Sequence, residues 1–171
     1  MQPASAITPG RLRDRAVRIA LWIAYRALLA LWFLFRPLRR GVAIAVWRDG
    51  RLLAIRNSYR KGLALPGGGV HRGETPVDAA QRELREEVGI HAAPGALRYV
   101  GEIVATFEWK RDRCAFFELT VDAPVEPRVD RREVVWADFV APAEAPRDGW
   151  TPPVREYLER RERERERTPP R

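Results

Sequence analysis

Cysteine is nearly absent: Cys114 is the only one in 171 residues. No intramolecular disulfide can form, and a thiolate-rich metal centre is excluded. A lone thiol fits a reducing cytosol. No segment repeats, which excludes a solenoid or repeat array. Long apolar runs are scarce too. The longest, Ile19 to Phe35, covers 17 residues and contains Arg26. That is short for a bilayer span, which needs about 20. It also lacks a small-residue cleavage site in the expected place, which argues against a secretory signal.

What is present bounds the rest. At 46% hydrophobic residues the chain can bury one ordinary core, so its length implies one domain plus extensions. The net charge of +8 and pI near 10.6 favour acidic partners such as phosphates, nucleotides, nucleic acid or anionic lipid. The charge is uneven. Arg11, Arg13, Arg15, Arg18 and Arg26 crowd the N-terminal arm, and Arg36, Arg39 and Arg40 follow its apolar run. The sign of the charge therefore describes the arm more than any active site.

Four segments emerge. Residues 1–10, with Pro3, Pro9 and Gly10, read as a disordered leader. Residues 11–38 read as an apolar and basic amphipathic helix closed by Pro37. Residues 39–160 form the globular domain, and residues 161–171 a charged tail. Within the domain, Val42, Ile44 and Val46 alternate as in a strand. Asp49-Gly50 is a hairpin turn signal, and Leu52 to Arg56 returns. A Gly-rich loop follows, ending in Pro66-Gly67-Gly68-Gly69. Thr75 is a good N-cap, Pro76 suits the first helical position and Gly89 the stop, which predicts a helix over 76–88. Tyr99 to Trp109 and Arg113 to Val121 read as antiparallel strands, Glu133 to Trp136 as a short one. A last helix starts near Pro152 and enters the Glu/Arg tail.

On the helix 76–88, at about 100° per residue, Glu83, Glu86 and Glu87 fall within an arc of about 100° beside an apolar stripe of Val77, Ala80, Leu84 and Val88. Carboxylates this close repel unless a cation sits among them, and hard oxygen ligands suit Mg²⁺ or Mn²⁺. Taken alone, the segment also reads as a solvated face neutralised by Arg82 and Arg85.

The wider spacing decides between these. Gly68 is followed after five residues by Glu74, and after seven more by Arg82-Glu83-Leu84-Arg85-Glu86-Glu87-Val88-Gly89-Ile90. This resembles the Nudix box of Nudix hydrolases at every defined position, with the MutT-like branch as the default. The post-box proline of the ADP-ribose branch and the upstream motif of the coenzyme A branch are missing. The resemblance implies an α/β/α sandwich around a mixed β-sheet, here preceded by the apolar/basic helix. It implies a metal-dependent pyrophosphohydrolase that cleaves the phosphoanhydride of a nucleoside diphosphate linked to another moiety. It assigns the metal to Glu83, Glu86, Glu87 and the Gly68 carbonyl, and pairs Arg82 with Glu74 as an orienting ion pair. The catalytic set is thus Glu74, Arg82, Glu83, Glu86 and Glu87. The general base stays open between Glu86 and Glu118, and the loop with Asp130 and Glu133 is a third ligand source; an ordinary surface role is the other reading of Glu118, Asp130 and Glu133. Arg56, Tyr59, Arg60 and Lys61 are placed to contact phosphates, and Phe107 and Trp109 to stack on a base. A catalytically silent nucleotide-binding domain is the alternative, although no box carboxylate is lost.

The arm has three readings. Arg11, Arg15, Arg18 and Arg26 share one helical side, which fits a helix in the interface of an anionic membrane. Packing on the domain or on a homodimer partner, and a true span, are the others. A membrane-bound arm favours a lipid-linked or CDP-type diphosphate as substrate. The location expected is the cytoplasm, at the inner face of a membrane if the arm binds one. The C-terminal Glu/Arg run is nearly charge-balanced, which disfavours a nucleic-acid partner.

Overall fold

The structure is a computed structural model. It describes residues 9–35, 38–122, 125–145 and 149–167, without the side chains of 9–12, 107 and 110. Leader residues 1–8 lie outside it. The first element is helix α1 (Pro9–Phe35), which starts two residues earlier than expected because proline is well tolerated in a first turn. Strands β1 (Leu38–Arg48) and β2 (Arg51–Asn57) precede α2 (Pro76–Val88). Strands β3 (Arg98–Phe107), β4 (Lys110–Thr120) and β5 (Val134–Val140) follow, then α3 (Pro152–Arg167).

The strands form one sheet in the order β3-β4-β1-β2-β5. Only β1 and β4 run parallel, so the sheet is mixed. Strand alternation divides two cores. Val42, Ile44 and Val46 of β1 and Phe117 and Leu119 of β4 pack against Ala80, Leu84 and Val88 of α2. Ala45, Trp47 and Phe116 point to the opposite face, against Val154 and Tyr157 of α3. The result is the α/β/α sandwich. Its α3 face is closed by a buried chain in which the Trp47 indole donates to the Tyr157 hydroxyl (2.9 Å) and that hydroxyl donates to Glu118 (2.5 Å). The Arg161 guanidinium lies 4.0 Å from the centre of the Trp47 ring.

Two strands begin earlier than their side chains suggest. Leu38, Arg39 and Arg40 pair with Arg111, Asp112 and Arg113, so each charged end supplies the ladder the other lacks. Strand β5 runs on to Val140 because it pairs with β2 along its length, and Asp138 stays exposed on this outer strand. The Asp49-Gly50 turn has positive φ at both residues (50° and 74°), as a two-residue hairpin of the I′ type requires.

β1 and β2 pair only next to their hairpin. Beyond it they diverge, and the Gly-rich loop enters the gap. Val42 N–H donates to the Gly68 carbonyl (2.9 Å), Ile44 N–H to that of Pro66 (2.8 Å), and Val70 N–H to that of Arg40 (3.1 Å). The fit depends on Gly67. A Cβ there would overlap the Val42 carbonyl and lie 2.9 Å from the Ala43 Cα.

Candidate active site

Helix α2 forms where expected, and its caps account for both ends. Thr75 Oγ1 accepts from Asp78 N–H (3.3 Å). Gly89 takes the left-handed conformation at φ 68°, and the Gly89 and Ile90 N–H groups return to the Arg85 and Leu84 carbonyls. This sets Glu83 and Glu87 toward the Gly-rich loop and leaves Glu86 half exposed. Glu87 accepts from Gly67 N–H (2.8 Å) and is buried. Glu83 sits so close to Gly68 that a Cβ there would overlap its carboxylate.

Arg82 stands among these acids. It grips Glu74 with Nε (2.9 Å) and Nη2 (3.1 Å), the orienting pair the family pattern implies. Its Nη1 donates to Glu83 (2.7 Å) and Glu86 (3.3 Å), and its Nη2 also to the Gly69 carbonyl (2.9 Å). The pair with Arg82 holds Glu74 down near pKa 2. Burial raises Glu83, partly offset by Arg82. Burial pushes Glu87 up to about 8, against the Gly67 N–H bond, and Glu83 and Glu133 add repulsion.

Among the described residues, no three His, Cys, Asp or Glu side chains are arranged to hold an ion as they stand. The guanidinium of Arg82 lies between Glu83 and Glu86 instead. The donors nevertheless fit a hard divalent cation. They are carboxylates, Glu87 is buried and Glu83 largely so, and they repel one another. The Gly68 carbonyl already accepts from Val42, so one lone pair remains to it.

A cleft of about 780 Å³ opens beside this cluster. Gly67–Gly69, Arg82, Glu83 and Glu86 line one end with Arg60, Glu133 and Tyr59. Its floor is the α3-side face of the sheet, where Ala43, Ala105 and Cys114 are small enough to leave a chamber. Its roof is α1, through Leu21, Ala24, Tyr25, Leu28 and Trp32.

The remaining expected residues divide. Arg60 reaches the cleft, bonded to Asn57 Oδ1 (3.1 Å). Arg56 does not line it; its guanidinium lies over the Trp136 ring, because alternation on β2 points it elsewhere. The Phe107 side chain lies outside the described residues. Trp109 is an exposed turn residue stacked edge-on against Phe33 and is not among the residues that line the cleft. Glu118 is opposite Ala45 on the α3-side face, bonded to Tyr157, Arg98 and Arg161, and does not line the cleft. Asp130 is spent on the N–H groups of Arg132, Glu133 and Val134. Of Glu118, Asp130 and Glu133, only Glu133 lines the cleft, accepting from the Tyr59 hydroxyl (3.0 Å). The residues sequence reasoning missed are the α1 wall and Arg39 and Arg40; nothing in the local pattern distinguishes them.

The family profile described as NUDIX domain matches residues 37–160. The chain belongs to the Nudix hydrolase family. This Nudix chain is 45% identical over 70 residues to an RNA pyrophosphohydrolase of Xylella fastidiosa (strain M12), which is 36% of this chain and 37% of that protein. It is 43% identical over 74 residues to an RNA pyrophosphohydrolase of Xanthomonas campestris pv. campestris (strain B100), 38% of this chain and 35% of that one. The chain thus spans little more than a third of the length of the curated relatives it matches. Among solved structures, a MutT Nudix hydrolase from Burkholderia pseudomallei superposes with TM-score 0.61 at 27% identity, covering 71% of this chain and 96% of the other. The MutT protein of Methanosarcina mazei Go1, at 23% identity, shares the fold with TM-score 0.61 over 75% of this chain and 96% of its own.

The raised Glu87 carries a linkage prediction for the metal-free Nudix domain. The folded chain holds this proton up to about pH 8, the unfolded chain only to the ordinary 4.5. Stability from this group is therefore full below 4.5 and lost as pH rises through about 8. In chelator, the wild-type melting temperature should fall relative to that of Glu87→Gln between about pH 5 and about pH 9. Parallel curves would contradict the burial argument.

Proposed function

We propose that this chain hydrolyses the phosphoanhydride of a nucleoside diphosphate linked to another moiety, with Mg²⁺ or Mn²⁺ held by Glu83, Glu86 and Glu87 and the free lone pair of the Gly68 carbonyl. The observation that carries this is the seating of Glu83 against Gly68 and of Glu87 on the Gly67 amide, beside a cleft that Glu83 and Glu86 line. When bound, the cation supplies positive charge that screens the diphosphate and activates water. The chain's own groups do the rest. Arg60, Arg39 and Arg40, which line the cleft, attract the phosphates. Arg82, locked to Glu74, keeps the carboxylates aligned. Glu86, the most exposed of the three, and Glu133, at the same end of the cleft, are the groups that would take a proton from water. The products are two phosphates, the bridging oxygen leaving on one of them.

A panel of nucleoside triphosphates, nucleotide diphosphate esters and RNA with a 5′-terminal phosphoanhydride, with product identification, names the bond cut. The RNA is included because of the relatives' activity. Glu87→Gln and Glu83→Gln should each lower kcat/KM by at least about 100-fold, the scale for a group at the reacting centre. Near-normal turnover in Glu87→Gln would sink the assignment. Binding without phosphate release across the panel would favour the silent alternative.

The arm supports a membrane-surface reading. Its helix is long and apolar enough by length and composition to span a bilayer, but it is tied alongside the domain by Arg132 to Asp14 (3.2 Å), Arg18 to the Arg131 carbonyl (2.9 Å) and Tyr25 to Glu108. Arg18 thus faces the domain, not a basic outer stripe as the helical projection suggests. The outer face is left apolar, with Ile19, Trp22, Ile23, Leu34 and Phe35 all more than half exposed. Exposed Arg13, Arg15, Arg26, Arg39 and Arg40 flank it. This pattern suits an anionic bilayer, with the lone cysteine fitting its cytoplasmic side. Ile23→Glu/Leu34→Glu should reduce co-sedimentation with phosphatidylglycerol vesicles by at least about 10-fold. Unchanged sedimentation would refute the membrane reading, and a concentration-dependent dimer without vesicle binding would give the face to a second copy.

A further inference from the structure

Helix α1 does two things at once. Its outer face is apolar and open, and its inner face forms the roof of the cleft that holds the glutamates. The two ends of that cleft differ in chemistry. One holds the acids, Arg60 and the Gly-rich loop. The other is a chamber between Leu21, Ala24, Leu28 and Trp32 above and Ala43 and Ile103 below.

A nucleobase in the chamber would need partners for its polar edge. Leu21, Ala24 and Leu28 offer only carbon; the polar side chains nearby, Arg39, Asp112 and Thr151, line the cleft beside Ala105 and Val154, and Asp112 is already engaged with neighbours. The Tyr25 hydroxyl is bonded to Glu108 and the Tyr59 hydroxyl to Glu133. The two tyrosine rings lie 4.9 Å apart, so each covers a face of the other. The chamber therefore rewards burial of apolar surface more than hydrogen bonding.

We infer that the cleft takes a diphosphate bearing an apolar chain, with the diphosphate at the Glu83–Glu86 end and the chain between α1 and the sheet. This rests on the proposed hydrolysis and narrows its substrate class. The outer face of the same helix, lying on a bilayer, sets the chamber next to the phase that contains such chains. In the reaction, water oxygen bonds to one phosphorus and the anhydride P–O bond breaks. The bridging oxygen leaves with the other phosphate, and the chain departs as its monophosphate.

The test is calorimetric and independent of turnover. Full-length protein with Mg²⁺ is titrated with methylene-bridged diphosphonates, which cannot be hydrolysed at the bridge, bearing an octyl or a methyl group. The octyl compound should bind at least about 100-fold more tightly, part of the full increment for its extra methylenes. Leu28→Glu at the roof and Ala105→Trp at the floor should each cut that preference at least about 10-fold while holding methyl-compound affinity within about 2-fold. That retained affinity reports an intact fold. Equal affinities for the two compounds would overturn the inference, as would a preference that survives both variants. Tighter binding of a nucleoside-bearing diphosphonate that both variants weaken would overturn it in favour of a base pocket. If the preference holds, turnover of CDP-dioctanoylglycerol against farnesyl diphosphate tells a nucleotide-linked lipid from a simple lipid diphosphate. Failure of the hydrolysis reading has a different signature: the octyl preference persists, but no substrate in the panel releases phosphate.

Discussion

The cleft depends on carboxylates held together where water is scarce. Glu87 is buried on the Gly67 amide, Glu83 is pressed against Gly68, and both are raised by burial and repulsion. Such a cluster is stable only with compensating positive charge. In the metal-free chain Arg82 supplies that charge to Glu83 and Glu86 and is in turn anchored by Glu74, while Glu87 keeps its proton up to about pH 8. The glycines matter for the same reason. Without a Cβ at 67 the loop can enter the gap between β1 and β2, and without one at 68 the Glu83 carboxylate can reach the backbone.

The rest of the sandwich serves this placement. Alternation on β1 and β4 sends one set of side chains to α2, which carries the acids, and the other to α3. The Trp47–Tyr157–Glu118 chain gives these three side chains their partners under α3. Beside the start of α3, small residues on the sheet leave a chamber, and α1 covers it. The N-terminal helix is thus a wall of the cleft as well as an exposed apolar surface.

The parts of this arrangement that are local were legible in the chain. Thr75, Pro76 and Gly89 mark the ends of α2, and Gly68, Glu74 and Arg82 at their spacings give Glu83, Glu86 and Glu87 a meaning that a run of glutamates lacks. The Asp49-Gly50 turn was equally plain. What escaped depends on which elements meet. Strand parity puts Glu118 opposite Phe117, but only the topology shows that its face is the α3 face. Asp130 and Glu133 are three residues apart in one turn, and hydrogen bonding alone separates the turn-former from the cleft acid. Helix α1 is apolar on nearly every side, so periodicity could not say that Leu21, Tyr25 and Trp32 face inward while Ile23 and Leu34 do not.

The central claim is that Arg82 stands in for a cation that the three glutamates are built to hold. Anomalous diffraction from a crystal soaked in Mn²⁺ tests it most directly. The account predicts a peak among the carboxylates of Glu83, Glu86 and Glu87, with Arg82 withdrawn onto Glu74. A map without that peak, with Arg82 still bonded to Glu83 and Glu86, would contradict it.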